Sequence, residues 1–265
     1  MNDILDIGYL LQPEPIIVER FDFFTFWSIC CNVGTIICLI NTTFWHVILG
    51  TDIDDKITFS LQYIGLISCV LYDITETFIY LEFQPDNILI WYIISCVAWQ
   101  LVYNCYLIMF FKQSAIWFGK SYRNISILVL IVLNIFMAID YYYYFAVLLI
   151  GTPEIISICQ KFDFAVTTGL SVIELIYNII TIYKIIKEAI KSRNPHTRTL
   201  IIKLTSVIGI FFLADLAISL AFEFVDESYA IIFWPFLFAL KLQTEYFCLN
   251  RIRQCLIIMN TIDNV

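Results

Sequence analysis

Seven apolar stretches follow one another almost without interruption through these 265 residues, and six of the seven hold an acid, an amide or a lysine near the middle. A bilayer core roughly 30 Å thick is crossed by about 20 residues of helix. On that length the stretches predict crossings at residues 22–45, 59–81, 88–111, 124–149, 163–186, 200–222 and 229–250. The expected fold is all-α: a single domain over residues 1–265, a polytopic bundle of seven transmembrane helices with a polar interior.

Composition leaves room for little else. Hydrophobic residues make up 61% of the chain and charged residues 14%, against about 25% charged in soluble domains, and the mean hydropathy is +0.84. The loops are short, and residues 1–21 and 251–265 are the longest stretches outside the expected helices. Any function must therefore reside in the bundle. The expected surroundings are the lipid bilayer, and nothing suggests a nucleic-acid partner.

The net charge of -8 says less than its placement. The leader and the second, fourth and sixth loops carry Asp3, Asp6, Glu14, Glu19, Asp22, Glu82, Asp86, Glu154, Asp163, Glu223, Asp226 and Glu227, against Arg20 and Lys161. The other loops and the tail carry Lys112, Lys120, Arg123, Lys187, Lys191, Arg193, Arg198, Arg251 and Arg253. Because Lys and Arg stay cytoplasmic, the amino terminus is expected outside and the carboxyl terminus in the cytoplasm, as seven crossings require. The first loop dissents, with Asp52, Asp54 and Asp55 against Lys56, although acids weigh little in that rule.

The first apolar run follows acids rather than bases and is too long for a signal-peptide core, so it reads as an anchor that stays. A plasma-membrane location is expected ahead of an internal one. Of nine cysteines, Cys30, Cys31, Cys38, Cys69, Cys96, Cys105 and Cys248 lie in apolar runs and Cys159 in an outer loop, which argues against a disulfide framework. Cys255, beside Arg251 and Arg253, is a candidate for S-palmitoylation on an interfacial eighth helix; an ordinary membrane-edge cysteine fits equally well. The sequons at Asn41 and Asn124 fall in a helix and on the inner face, where neither is expected to be glycosylated.

Polar and small residues recur every three or four positions, which places them on one face of each helix. The first crossing offers Ser28, Asn32, Thr35 and Thr42; the second Gln62, Gly65, Cys69, Asp73, Glu76 and Tyr80; the third Cys96, Gln100, Tyr103 and Asn104. The fifth offers Thr167, Ser171, Glu174, Asn178 and Thr181, the sixth Asp215 and Ser219, and the seventh Lys241, Thr244, Glu245 and Cys248. An ionisable group at mid-bilayer costs at least ~2.5–3.5 kcal/mol and faces partners or a water-filled cavity. Six carboxyls, Asp73, Glu76, Asp140, Glu174, Asp215 and Glu245, face one cation, Lys241. Lys241 is expected to pair with Glu174 or Asp73, with Glu245 one turn along as a second partner. A hydrogen-bond network that merely holds the helices together is the alternative.

Seven helices, an outside amino terminus, a short basic third inner loop at residues 187–199 and a polar cavity together resemble the G-protein-coupled receptors. That resemblance implies a small extracellular ligand and a heterotrimeric G protein against the basic cytoplasmic surface. It lies in topology: the third crossing ends Met109-Phe110-Phe111-Lys112 without Asp-Arg-Tyr, and the seventh reads Glu245-Tyr246-Phe247-Cys248-Leu249-Asn250 without Asn-Pro-x-x-Tyr. The excess of carboxyls favours a cationic or hydroxyl-rich ligand, and Tyr141–Tyr144 beside Asp140 read as a lipid-facing belt or as lining of the cavity.

A small-solute transporter is the second reading. Phe-Asp-Phe opens the first crossing at 21–23 and the fifth at 162–164, and Trp91, Gln100, Tyr103 and Cys105 align with Trp234, Gln243, Tyr246 and Cys248. This is a three-plus-one-plus-three pattern similar to sugar transporters of the SWEET type. A third reading places retinal on Lys241, where rhodopsins carry their Schiff-base lysine, but the third crossing supplies no acid as counterion. Otherwise no cofactor or metal is expected, and no enzyme: His46 and His196 are the only histidines, too few for an intramembrane zinc site, and Tyr72-Asp73 lacks the Gly-x-Gly-Asp partner of an aspartyl protease.

Overall fold

The computed structural model describes residues 21–47, 56–80, 88–190, 195–224 and 227–262. Within them the backbone is helical almost throughout, in six elements: α1 (Phe21–Val47), α2 (Lys56–Tyr80), α3 (Ile88–Ile150), α4 (Pro153–Ile190), α5 (Pro195–Phe224) and α6 (Glu227–Ile262). Six segments are long and apolar enough to cross a bilayer: Thr25–Val47, Lys56–Ile79, Ile88–Lys112, Ser121–Ile150, Pro153–Lys187 and Thr197–Ile218. Two of these belong to α3. In a lipid core only self-satisfied backbones span, and the outward surface matches, with Ile125, Leu128, Ile131, Ile135 and Phe136 among many exposed large apolar residues. The chain is an integral, multi-pass membrane protein.

Helical geometry persists where the sequence predicts a loop at residues 112–123, so the third and fourth crossings form one element. It cannot be straight. Asn104 and Asn134 are thirty residues apart, about 45 Å along an ideal helix, yet each donates an amide N–H to the other's oxygen at 2.9 and 2.8 Å. α3 therefore folds back between a first arm, Ile88–Lys112, and a second arm, Ser121–Ile150. Aromatic rings pin the reversal to α4: Phe118 stacks on Tyr122 at 4.6 Å, and Tyr177 of α4 meets both Tyr122 and Phe111.

The second arm ends at Gly151, whose φ of 63° is the left-handed conformation that a glycine adopts without Cβ strain. Pro153 then opens α4 at the position where its missing N–H costs nothing, and Ile156 N–H bonds Thr152 C=O at 3.0 Å. α4 thus begins ten residues before the expected crossing at 163, which places Asp163 inside a helix rather than in a loop. α6 likewise runs unbroken to Ile262, where a separate interfacial helix is expected from the sequence.

The helices close a ring. α1 packs on α2, α2 on α3, α3 on α4, α4 on α5, α5 on α6, and α6 returns to α1. Only the later half of the first arm of α3 lies inside it: Val102, Tyr103, Cys105, Tyr106, Leu107, Met109, Phe110 and Phe111 are all buried, whereas Leu89, Ile90, Ile93, Val97 and Leu101 form an exposed apolar stripe on the half before them.

Close approach of α6 to α1 and α2 depends on two glycines. A Cβ at Gly34 of α1 would stand 2.5 Å from the Phe236 ring, and one at Gly65 of α2 would stand 2.8 Å from the Leu242 side chain and 3.2 Å from Cys105. Small residues at such contacts let backbones approach where lipid supplies no hydrophobic drive. Gly34→Leu should therefore abolish the monodisperse folded fraction on size exclusion in detergent. Gly169→Ala, where nothing lies within 4 Å, should raise stability by up to about 1 kcal/mol, read as a higher thermal midpoint.

Candidate functional site

The centre of the bundle is a buried ion pair. Lys241 of α6 is 0% exposed and Glu174 of α4 is 4% exposed, and the Lys241 ammonium donates to Glu174 Oε1. Tyr106 of the first arm of α3 donates its hydroxyl to the same oxygen at 2.8 Å. The ammonium also lies over two ring faces, Tyr106 at 4.4 Å and Phe238 at 4.8 Å, where the negative face of each ring attracts a desolvated cation. Three helices meet at this point, and an aromatic column rises from it: Phe238 packs on Tyr103 and Trp99, and Trp99 on Trp234 and Tyr72.

The other carboxyls stand elsewhere. Asp73 of α2, also buried, accepts from Thr35 of α1 at 2.7 Å, and its partner is a hydroxyl rather than Lys241. Thr77, one turn along, bonds Ser28 and Asn32 of α1, so the polar face of α1 is absorbed by α2. Glu76 accepts from Ser95 of the first arm. Asp140 of the second arm faces Asp163 of α4, and neither pairs with a cation among the described residues. The side chains of Asp215 and Glu245 lie outside the described residues.

The amides make a second, half-buried cluster. Gln100 donates to Asn134, which also holds Asn104, so Gln100 and Asn104 bind the two arms of α3 together instead of lining the space around Lys241. A shallow open groove of about 350 Å³, lined by Leu130, Ile131, Asn134, Ile135 and Ala138, lies along the second arm. At the other end of α2, Gln62 donates to the Leu242 carbonyl of α6 at 3.1 Å and accepts from His46 of α1 at 3.1 Å.

Near the end of the bundle where α1 begins, acids and tyrosines gather on α2, both arms of α3 and α4. Glu76, Asp140 and Asp163 share this region with Tyr92, Tyr141 and Tyr144, and the rings of Tyr92 and Tyr144 lie 5.4 Å apart, edge to face. Asp140 Oδ1, Tyr141 hydroxyl and Trp91 Nε1 are buried there without a hydrogen-bond partner. Tyr142 instead is 69% exposed, the lipid-belt orientation, so the tyrosine run divides between buried and outward-facing positions.

On the basic surface, Lys187, Arg198 and Arg251 are exposed, and Arg251 bonds Gln254. Lys191 and Arg193, and the side chain of Arg253, lie outside the described residues. Cys255 is half-buried and Cys159 is buried, and neither forms a disulfide among the described residues. The sequence left out Tyr106 and Asp163; Tyr106 follows Tyr103 by three positions on a helix already marked as polar, the one signal that pointed to it. The chain matches no protein-family model, and no curated protein and no solved structure matches it.

Removing one member of a buried pair strands the other, at a cost of about 3–5 kcal/mol. Lys241→Met should accordingly lower the thermal midpoint and folded yield more than any change in the tail. Adding Glu174→Gln should restore much of the loss, because no unpaired charge is then left inside; thermal unfolding of the two variants in detergent reads both effects.

Proposed function

We propose that the chain is a seven-helix receptor-like protein of the plasma membrane, with its amino terminus outside and its carboxyl terminus in the cytoplasm, that senses a small extracellular ligand. α6 supplies the seventh crossing in this reading. The observation that carries it is the closed ring: α6 returns to α1 around a first arm of α3 whose later half, Val102 to Phe111, is buried in the bundle. A transporter made of two three-helix halves would instead set helices 1–3 and 5–7 apart as separate bundles, so the ring favours sensing over the repeat.

The acid–tyrosine cluster at the outer end is the ligand site in this reading. Its three carboxyls and flanking rings complement a cation that carries N–H or O–H donors, such as a small amine, through charge and ring faces together. The unbonded Asp140 Oδ1, Tyr141 hydroxyl and Trp91 Nε1 give such a ligand both acceptors and donors. At the cytoplasmic end, Lys187, Arg198 and Arg251 offer a basic surface suited to a heterotrimeric G protein. Retinal finds less support: Lys241 is already engaged by Glu174, Tyr106 and Phe238.

A ligand that binds only the folded state stabilises it by about 2.7 kcal/mol at a hundredfold its Kd. A panel of mono- and diamines should therefore give a saturable rise in thermal midpoint for the purified protein. That rise should vanish in Asp140→Asn, Asp163→Asn; a panel without effect, or an undiminished rise in the double variant, would remove this site.

A further inference from the structure

α4 carries polar residues down one side: Asp163, Thr167, Ser171, Glu174, Asn178 and Thr181. At about 100° and 1.5 Å per residue these fall within an arc of about 80° and run about 27 Å, close to the thickness of the hydrocarbon core. The stripe is half-buried from Asp163 to Ser171 and buried at Glu174, Asn178 and Thr181, so it turns into the bundle and away from lipid.

One member is chemically unfinished. Asn178 is 1% exposed, yet neither its Nδ2 nor its Oδ1 has a hydrogen-bond partner. Buried polar groups are satisfied by protein or by ordered water, and an amide one turn from a buried carboxylate is a polar enough place to hold water. The stripe begins at Asp163, which faces Asp140, whose Oδ1 is likewise buried and unbonded.

We propose that the α4 stripe is a hydrated path for protons across the membrane, with Glu174 as the group that takes up and releases the proton at mid-span. A proton relayed by water from the Asp140 and Asp163 carboxyls adds to the Glu174 carboxylate and leaves a neutral acid. Lys241 remains an ammonium during this step, held by the faces of Tyr106 and Phe238. The Glu174 O–H then passes its proton to water bonded at Asn178 and on towards Thr181, and the carboxylate re-forms its pair with Lys241. One proton crosses, only O–H bonds form and break, and no co-reactant is consumed. Among the described residues, the charged and titratable groups that face Glu174 are Lys241 of α6 and Tyr106 of α3.

The test is proton flux into liposomes that hold the purified full-length chain and a trapped pH-sensitive dye, driven by a potassium diffusion potential set with valinomycin. Wild-type protein should acidify the lumen faster than protein-free liposomes. Glu174→Gln should reduce the rate to the protein-free level. Asn178→Leu, close in volume and free of the unbonded amide, should keep or raise the thermal midpoint while losing the flux, so its readout does not depend on a folding defect. Wild-type flux equal to that of protein-free liposomes, or wild-type flux retained in either variant, would overturn the proposal. The inference goes beyond ligand sensing, and the assay contains no ligand, so its outcome is independent of the receptor reading.

Discussion

Lys241 is shut off from bulk solvent. Enclosed at 0% exposure, its ammonium depends on one carboxylate and two ring faces, and those groups come from α4, α3 and α6. Lipid is as apolar as a leucine side chain, so helices in a bilayer gain nothing by simple hydrophobic burial against each other; packing and polar contacts select their neighbours. The pair therefore acts as an address: α6 must bring Lys241 to the depth of Glu174, and the first arm of α3 must bring Tyr106 there too. Gly34 and Gly65 allow that by leaving room for Phe236 and Leu242, the residues of α6 on either side of the lysine's turn.

The remaining polar groups are satisfied locally, each between two or three neighbouring segments. α1 and α2 share hydroxyls, Asn32 and Asp73; the arms of α3 share amides; α2 reaches the backbone of α6 through Gln62. Interhelical hydrogen bonds of this kind contribute on average about 0.6 kcal/mol each in membranes, modest energies that nevertheless fix rotation and depth. Among the described residues, the acid–tyrosine cluster and Asn178 escape the pattern, as do the hydroxyls of Thr25, Thr42 and Ser126.

The sequence made six of the expected crossings legible because length and hydropathy answer directly to bilayer thickness. It also marked Lys241 and Glu174, since a charge within an apolar run stands out wherever the fold takes it. Ends and partners were harder to read. Pro153 looks like a loop residue but caps α4 at its first turn, which hid ten residues of helix and kept Asp163 in a loop. Residues 112–123 look like a connection, yet they hold helical geometry while the chain reverses. Whether Asp73 would meet Lys241 or Thr35 depended on which helices became neighbours, and depth along an axis carries no information about that. Tyr106 was lost among sixteen tyrosines, because a tyrosine in a membrane helix is as often an interfacial anchor as a hydrogen-bond donor.

The reversal in α3 also bears on how the chain enters its membrane. Asn134 sits in the middle of a strongly apolar segment, and its natural partners, Gln100 and Asn104, lie in the arm synthesised just before it. With so short a connection between them, the two arms can partition from the translocon into lipid as one helical hairpin, their amides already turned towards each other. The polar groups that would make each arm a poor lipid solute alone are thus hidden by its nearest neighbour in the chain. Glu174 has no such neighbour, since its partner Lys241 follows it by 67 residues, and its pairing must wait until α6 has been made.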